Sequence, residues 1–131
     1  MMRKIVIDTN VIVSAALSGK GNSYEIIDLV SERKLSLYYS EDIMSEYREV
    51  LSRDKLRIST AIQAGIIAKI EEIGISLSPA KSDTPLPDET DRMFYDAAIE
   101  VKATLITGNT KHYPDEPFIM TPAQFLATFA D

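Results

Sequence analysis

The feature that most restricts this chain is an alternation of short β-favouring apolar runs with longer stretches of helical periodicity. Ile5–Asp8 reads as a compact buried strand, and Leu35–Tyr39, Ile75–Leu77, Thr104–Thr107 and Phe118–Met120 read as four more. Val11–Leu17 is apolar on nearly every side, as expected of a helix packed deep against a sheet. Gly19-Lys20-Gly21-Asn22 breaks it, and Ser23–Arg33 follows with Ile26, Ile27 and Val30 inward. Strands separated by helices imply an α/β fold with four or five mostly parallel strands.

Local signals set the remaining boundaries. Ser40 is placed to cap a helix whose first turn carries Glu41 and Asp42 and whose apolar face is Ile43, Tyr47, Val50 and Leu51. A charged connection, Arg53–Arg57, leads to Ser59–Ile73, where Ile62, Ile66, Ile67, Ile70 and Ile73 recur at helical spacing until Gly74. Pro79–Pro87 contains three prolines; it is too short to separate domains and reads as a loop over an active face. Asp91–Val101 is expected to be helical. Thr121-Pro122-Ala123-Gln124 has the form of a capping box with proline at the first helical position. No internal repeat interrupts the pattern, and one domain over residues 1–131 is expected.

Composition limits the chemistry. There is no cysteine and only one histidine, so a metal site must be built from oxygen ligands or His112. The net charge of −6 argues against a passive nucleic-acid binder, which carries a basic surface. It leaves room for an enzyme that meets a polyanion through a bound divalent cation. The apolar run after Met1-Met2-Arg3-Lys4 is stopped by Asp8, so neither a signal peptide nor a membrane span is expected, and a cytoplasmic location is.

In parallel sheets ligands gather at the carboxyl ends of strands. Asp8 ends the first strand and Asn109 lies just past Thr104–Thr107, so both fall on one edge. Capping the following helix would account for Asp8 equally well. Glu46 falls about 60° from Ile43 on a helical wheel, at the border of the apolar stripe, whereas Asp42 and Glu49 turn toward solvent. A solvated rim carboxylate is the simpler account of Glu46 taken alone. Asp91 heads a face containing Phe94, Tyr95 and Ala98, and Asp96, about 140° away, falls with Arg92 and Glu100 on what reads as solvated surface. Asp88 reads as a helix cap able to reach a metal through water. Carboxylates drawn together from distant segments are costly without a cation, which directs attention to Mg²⁺ or Mn²⁺ and metal-assisted phosphodiester hydrolysis.

Four segments, taken together and in order, resemble the PIN domain ribonucleases. These are Ile5–Ala15 with Asp8-Thr9-Asn10, the helix Ser45–Leu51, the run Pro87–Ala98, and Leu105–Pro114; Met120–Leu126 is similar to the family's closing helix. The resemblance implies a three-layer α/β/α sandwich. It implies Asp8, Glu46 and Asp91 as catalytic and metal-binding acids, Asn109 as a further metal-site residue, and Asn10 with Thr9 as orienting groups. Many members carry a fourth carboxylate where this chain has Asn109, and often another acid near His112. Lys111 and His112 are candidates for phosphate contact, and Arg53, Lys55 and Arg57 for guiding RNA.

Within the family the chain looks closest to the toxin components of toxin–antitoxin pairs. That implies a metal-dependent endoribonuclease acting on single-stranded RNA, an antitoxin protein as partner, and a homodimer. The Ile-rich helix Ser59–Ile73 serves equally as interface or core. Two rivals stand beside this reading. A catalytically weakened PIN fold kept as an RNA- or protein-binding module is consistent with the amide at Asn109. A haloacid dehalogenase-like phosphatase also begins with a strand and an Asp, but would need an acid where Asn10 stands.

Overall fold

The computed structural model describes residues 2–129; Met1, Ala130 and Asp131, which the expected domain includes, lie outside the described residues. The central strand is β1 (Arg3–Ile7), paired in parallel with β2 (Leu35–Tyr39) on one side and β4 (Thr104–Ile106) on the other. Strands β3 (Ile75–Ser76) and β5 (Ile119–Met120) form the edges, giving the order β3-β2-β1-β4-β5 with every pairing parallel. Successive side chains of a strand point to opposite faces. Ile5, Val6 and Ile7 are all fully buried, so helices cover the sheet on both sides. This is the α/β/α sandwich, with the number of strands at the upper end of the expectation.

The helices are α1 (Thr9–Leu17), α2 (Asn22–Ser31), α3 (Glu41–Leu51), α4 (Thr60–Ile73), α5 (Arg92–Val101) and α6 (Pro122–Phe129). The expected cap at Ser40 forms, its Oγ accepting from Ile43 N at 3.2 Å, and Ser59, read from sequence as the first helical residue, also caps, its Oγ accepting from Ile62 N at 3.1 Å. In the Thr121–Gln124 box, each residue's side chain accepts from the other's backbone N–H, at 2.9 and 3.1 Å. Asp91 falls at the end of a short 3₁₀ turn, Glu89–Asp91, immediately before α5 rather than inside it.

The core role open to α4 is met only in part, and the solvated reading of Asp96 needs correction. In α4 only Ile70 is buried; Ile66, Ile67 and Ile73 pack partly on the core, and Ile62 is 47% exposed. The repeat of isoleucines therefore exceeds what the core takes up. Asp96 is not solvated surface: it is 5% exposed. The proline-rich segment folds over it, Ser82 donating to its carboxylate through both backbone N (3.2 Å) and hydroxyl, while Arg92 stands 3.8 Å away. Arg92 in turn donates to Ser82 O, Ser82 Oγ, Thr84 O and Glu89. A helical wheel records the helix alone and is blind to a loop that closes over its polar face. Because these bonds end on a buried charge, we expect Asp96→Asn to destabilise the fold by about 2 kcal/mol, read from chemical denaturation. An unchanged midpoint would show the strap to be energetically idle.

Candidate active site

The carboxyl edge of β1 and β4 collects the expected residues. Asp8 extends the ladder by one bond, its N–H donating to Ile106 O at 2.9 Å, and its carbonyl accepts from Val11 N at 3.1 Å as α1 begins. Its backbone occupies the capping position of α1, yet its side chain makes no capping bond. Instead, Oδ2 accepts from Thr107 Oγ1 and from Tyr113 OH, each at 2.9 Å. The helix-cap account of Asp8 thus fails for its carboxylate. Both bonds fall on one oxygen, which leaves Oδ1 for another partner. Burial and the facing charge of Asp8 push the Tyr113 phenol well above its ordinary pKa, so it remains a donor. Below this point Tyr47, also fully buried, donates its hydroxyl to Ile7 O.

Thr9 and Asn10 tie neighbouring segments to the same turn. Thr9 Oγ1 donates to Glu46 Oε2 at 2.7 Å, fixing the half-buried carboxylate of α3 beside the end of β1. Asn10 Oδ1 accepts from Gly108 N at 2.8 Å, and a Cβ at Gly108 would stand only 3.2 Å from that oxygen. Glycine permits the approach that holds the segment after β4 to the start of α1.

Asp91 is the most strained member electrostatically. Its side chain is 14% exposed, and Oδ2 is buried with no hydrogen-bond partner among the described residues. His112 Nδ1 lies 3.5 Å from that oxygen, too far for a firm bond. Burial first, then the charges of Asp8 and Asp88, raise the Asp91 pKa from 3.8 to about 6, with Glu46 adding to the rise and His112 opposing it. A buried acceptor left without a donor is costly, and the oxygen is suited to a cation.

Asn109 is exposed, its N–H donating to Thr107 Oγ1 at 3.1 Å and its side-chain amide lying 3.0 Å from His112 Nε2. Asp88 is exposed and caps the Glu89–Asp91 turn, accepting from Thr90 N at 3.0 Å and Thr90 Oγ1 at 2.8 Å, bonds that hold its pKa low. Lys111 is not brought to the acids; it lines a separate shallow cleft with Pro114 and Asp115. Arg53 is engaged by Glu49 at 2.8 Å. Sequence reading did not find the bonds of Thr107 and Tyr113 to Asp8. The terminal position of Thr107 on its strand was the available signal, and nothing local marked Tyr113.

Among the described residues no three His, Asp or Glu side chains close on one point tightly enough to hold an ion by themselves. Mg²⁺ does not require that: it keeps several waters and takes one or two protein carboxylates together with substrate phosphate. Asp8 Oδ1, the unpartnered Asp91 Oδ2 and the Glu46 oxygen not held by Thr9 form a donor set of the hard type this ion takes.

The family model described as PIN domain matches residues 4–111. An uncharacterized protein of Methanocaldococcus jannaschii is 32% identical over 109 residues, covering 81% of this chain and 70% of that protein.

Proposed function

This chain belongs to the PIN domain family, whose members are generally metal-dependent nucleases, and from that premise we propose a Mg²⁺- or Mn²⁺-dependent endoribonuclease acting on single-stranded RNA. The observation that carries the reading is the buried, unpartnered Asp91 Oδ2, whose acidity is weakened by Asp8, Asp88 and Glu46. Three segments far apart in sequence spend electrostatic energy at one place, and a divalent cation relieves it.

In this reading Asp8, Glu46 and Asp91 hold the ion, with Asn109 contributing at most a neutral oxygen. When bound, the ion supplies charge neutralisation at the phosphate and a more acidic water. The chain's own groups do the positioning. Thr107 and Tyr113 fix one oxygen of Asp8, Thr9 fixes one of Glu46, and Asn10 clamps the turn to the Gly108 segment. In this reading His112, between Asp91 and Asn109, contacts substrate phosphate, and Lys111, which lines a cleft beside Tyr113, is the weaker candidate. The broader setting we propose is a cytoplasmic toxin held in check by an antitoxin protein, acting as a homodimer. The partly uncovered isoleucines of α4 are compatible with the dimer.

The test is incubation of purified protein with mixed single-stranded RNA and Mg²⁺ or Mn²⁺, with and without EDTA. We expect internal cleavage that disappears with chelation, and a rise in melting temperature on adding the ion. Inactivity without any metal-induced stabilisation would instead favour a binding module, the reading that the amide at Asn109 supports.

A further inference from the structure

Two clefts open along the carboxyl edge of the sheet, on opposite sides of Asp8. The first, of about 410 Å³, lies beyond β2 and β3, lined by Ser40, Leu77 and Pro79 as well as by Glu41, Asp42 and Asp96. The second, of about 660 Å³, lies beyond β4 and β5, where Asn10, Gly108 and Asn109 form its border with the acids. Their chemistry is opposite in kind. Three carboxylates line the first, although Lys81 and Arg92 stand among them. None lines the second in a chain with 20 acidic residues.

The second cleft is walled instead by Ser14, Lys20, Asn22, Ser23 and Thr121. Hydroxyls, amides and a lysine are the groups that contact phosphate and sugar oxygens in nucleic-acid complexes. Lys20 pairs with no carboxylate among the described residues, so its charge remains available. Gly21, at φ 101°, sits in a conformation that favours glycine and has nothing within 4 Å of where a Cβ would stand, so the backbone there is open to close approach. Asn22 and Ser23 begin α2, which adds the positive end of a ten-residue helix. The volume falls in the ~300–1,000 Å³ span of ligand sites.

We propose that this second cleft is the track for the ribose–phosphate backbone of single-stranded RNA on one side of the scissile bond, a reading that rests on the nuclease function proposed above. Backbone contacts of this kind carry little base preference, so the cleft contributes affinity and direction rather than sequence choice. RNA leaving the acids toward β5 meets neutral and positive groups. In the other direction it meets the exposed carboxylates of Glu41 and Asp42, with Lys81 beside them.

The test measures binding apart from cleavage, by fluorescence anisotropy of a short labelled single-stranded RNA with Mg²⁺ present and Asp8→Asn as background, so that substrate is not consumed. Lys20→Glu and Ser23→Glu place charge in the second cleft; Ser78→Glu places it in the first. We expect each second-cleft change to weaken binding by roughly tenfold, with Lys20→Ala lowering the salt slope by about 1, and Ser78→Glu to have no effect. Far-ultraviolet circular dichroism of each variant distinguishes a lost site from a lost fold. Equal affinity of folded second-cleft variants, an equal loss with Ser78→Glu, or no RNA binding by the background protein would each overturn the proposal. Cleft-dependent binding by a wild-type protein that does not cleave RNA would uphold the track and remove the nuclease reading, so the two fail separately.

Discussion

If the proposed activity holds, replacing Asp8 with Asn is expected to lower metal-dependent RNA cleavage by about three orders of magnitude, equivalent to roughly 4 kcal/mol of lost transition-state stabilisation. The size follows from the geometry. Thr107 and Tyr113 both donate to one position, so the asparagine turns its carbonyl oxygen toward them and presents its NH₂ where Asp8 presented Oδ1. A carboxylate that would hold a cation becomes a donor that repels one. The fold retains both inward bonds in neutral form, so the stability loss is only about 1 kcal/mol. Single-turnover cleavage at saturating Mg²⁺, with a thermal melt of the same protein, separates the two effects. A variant rate within tenfold of the parent would remove Asp8 from the ion's ligands.

The second large effect concerns Asp91 and has opposite signs for stability and activity. Its carboxyl has a pKa of about 6 in the folded protein against an ordinary 3.8. Between those values the folded state keeps a proton that the unfolded state has released. Stability therefore falls as pH rises from near 4 to near 6 and stays at the lower level above that. With allowance for solvent screening the penalty is about 1–2 kcal/mol at neutral pH. Asp91→Asn cannot ionise, so above pH 6 it is more stable than the parent by that amount, a rise of roughly 5 °C in melting temperature. Well below pH 3.8, where Asp91 is protonated in both states, the two proteins are expected to melt together. The same variant is expected to lose RNA cleavage, because a neutral amide cannot supply the carboxylate charge that would hold a cation there. Such an exchange of stability for function is typical of active sites. Added Mg²⁺ stabilises the parent at neutral pH and narrows its difference from the variant. If the parent cleaves RNA as proposed, its rate is expected to rise with pH on the acid side of 6 as Asp91 ionises, with bound ion drawing that limb to lower pH. An Asp91→Asn protein that melts below the parent at neutral pH would contradict the electrostatic account.

Much of the fold was legible because its signals are local. Short apolar runs, period-3.6 patterns, Ser40 as a cap and the Thr121–Gln124 box each act over a few residues, and the structure contains all of them. The faces of α3 were legible for the same reason: Tyr47 is buried, Glu46 lies at the border, and Glu49 is exposed. Asp96 shows where this reasoning stops. Its angular position on α5 is polar, but the loop that buries it is fixed by Ser82 and by the bonds of Arg92 to Ser82 and Thr84, none of which any periodicity announces. Ile62 shows the reverse, an apolar residue at the expected spacing that the described chain leaves 47% exposed.

By itself the sequence determined the α/β alternation, the helix ends and the placing of Asp8 at the end of a buried strand, because each rests on interactions between near neighbours. Tertiary structure alone decided what that carboxylate does. Thr107 and Tyr113, 99 and 105 residues away, reach Asp8 only because β4 pairs beside β1, and their donation turns the side chain from a helix cap into an anchored acid. It also decided which acid is left wanting. Asp91 and Asp96 are five residues apart on the same segment, yet one is satisfied by Ser82 and the other has a buried oxygen with no partner. That difference depends on which loop packs on which face, a long-range choice made by chain connectivity and burial.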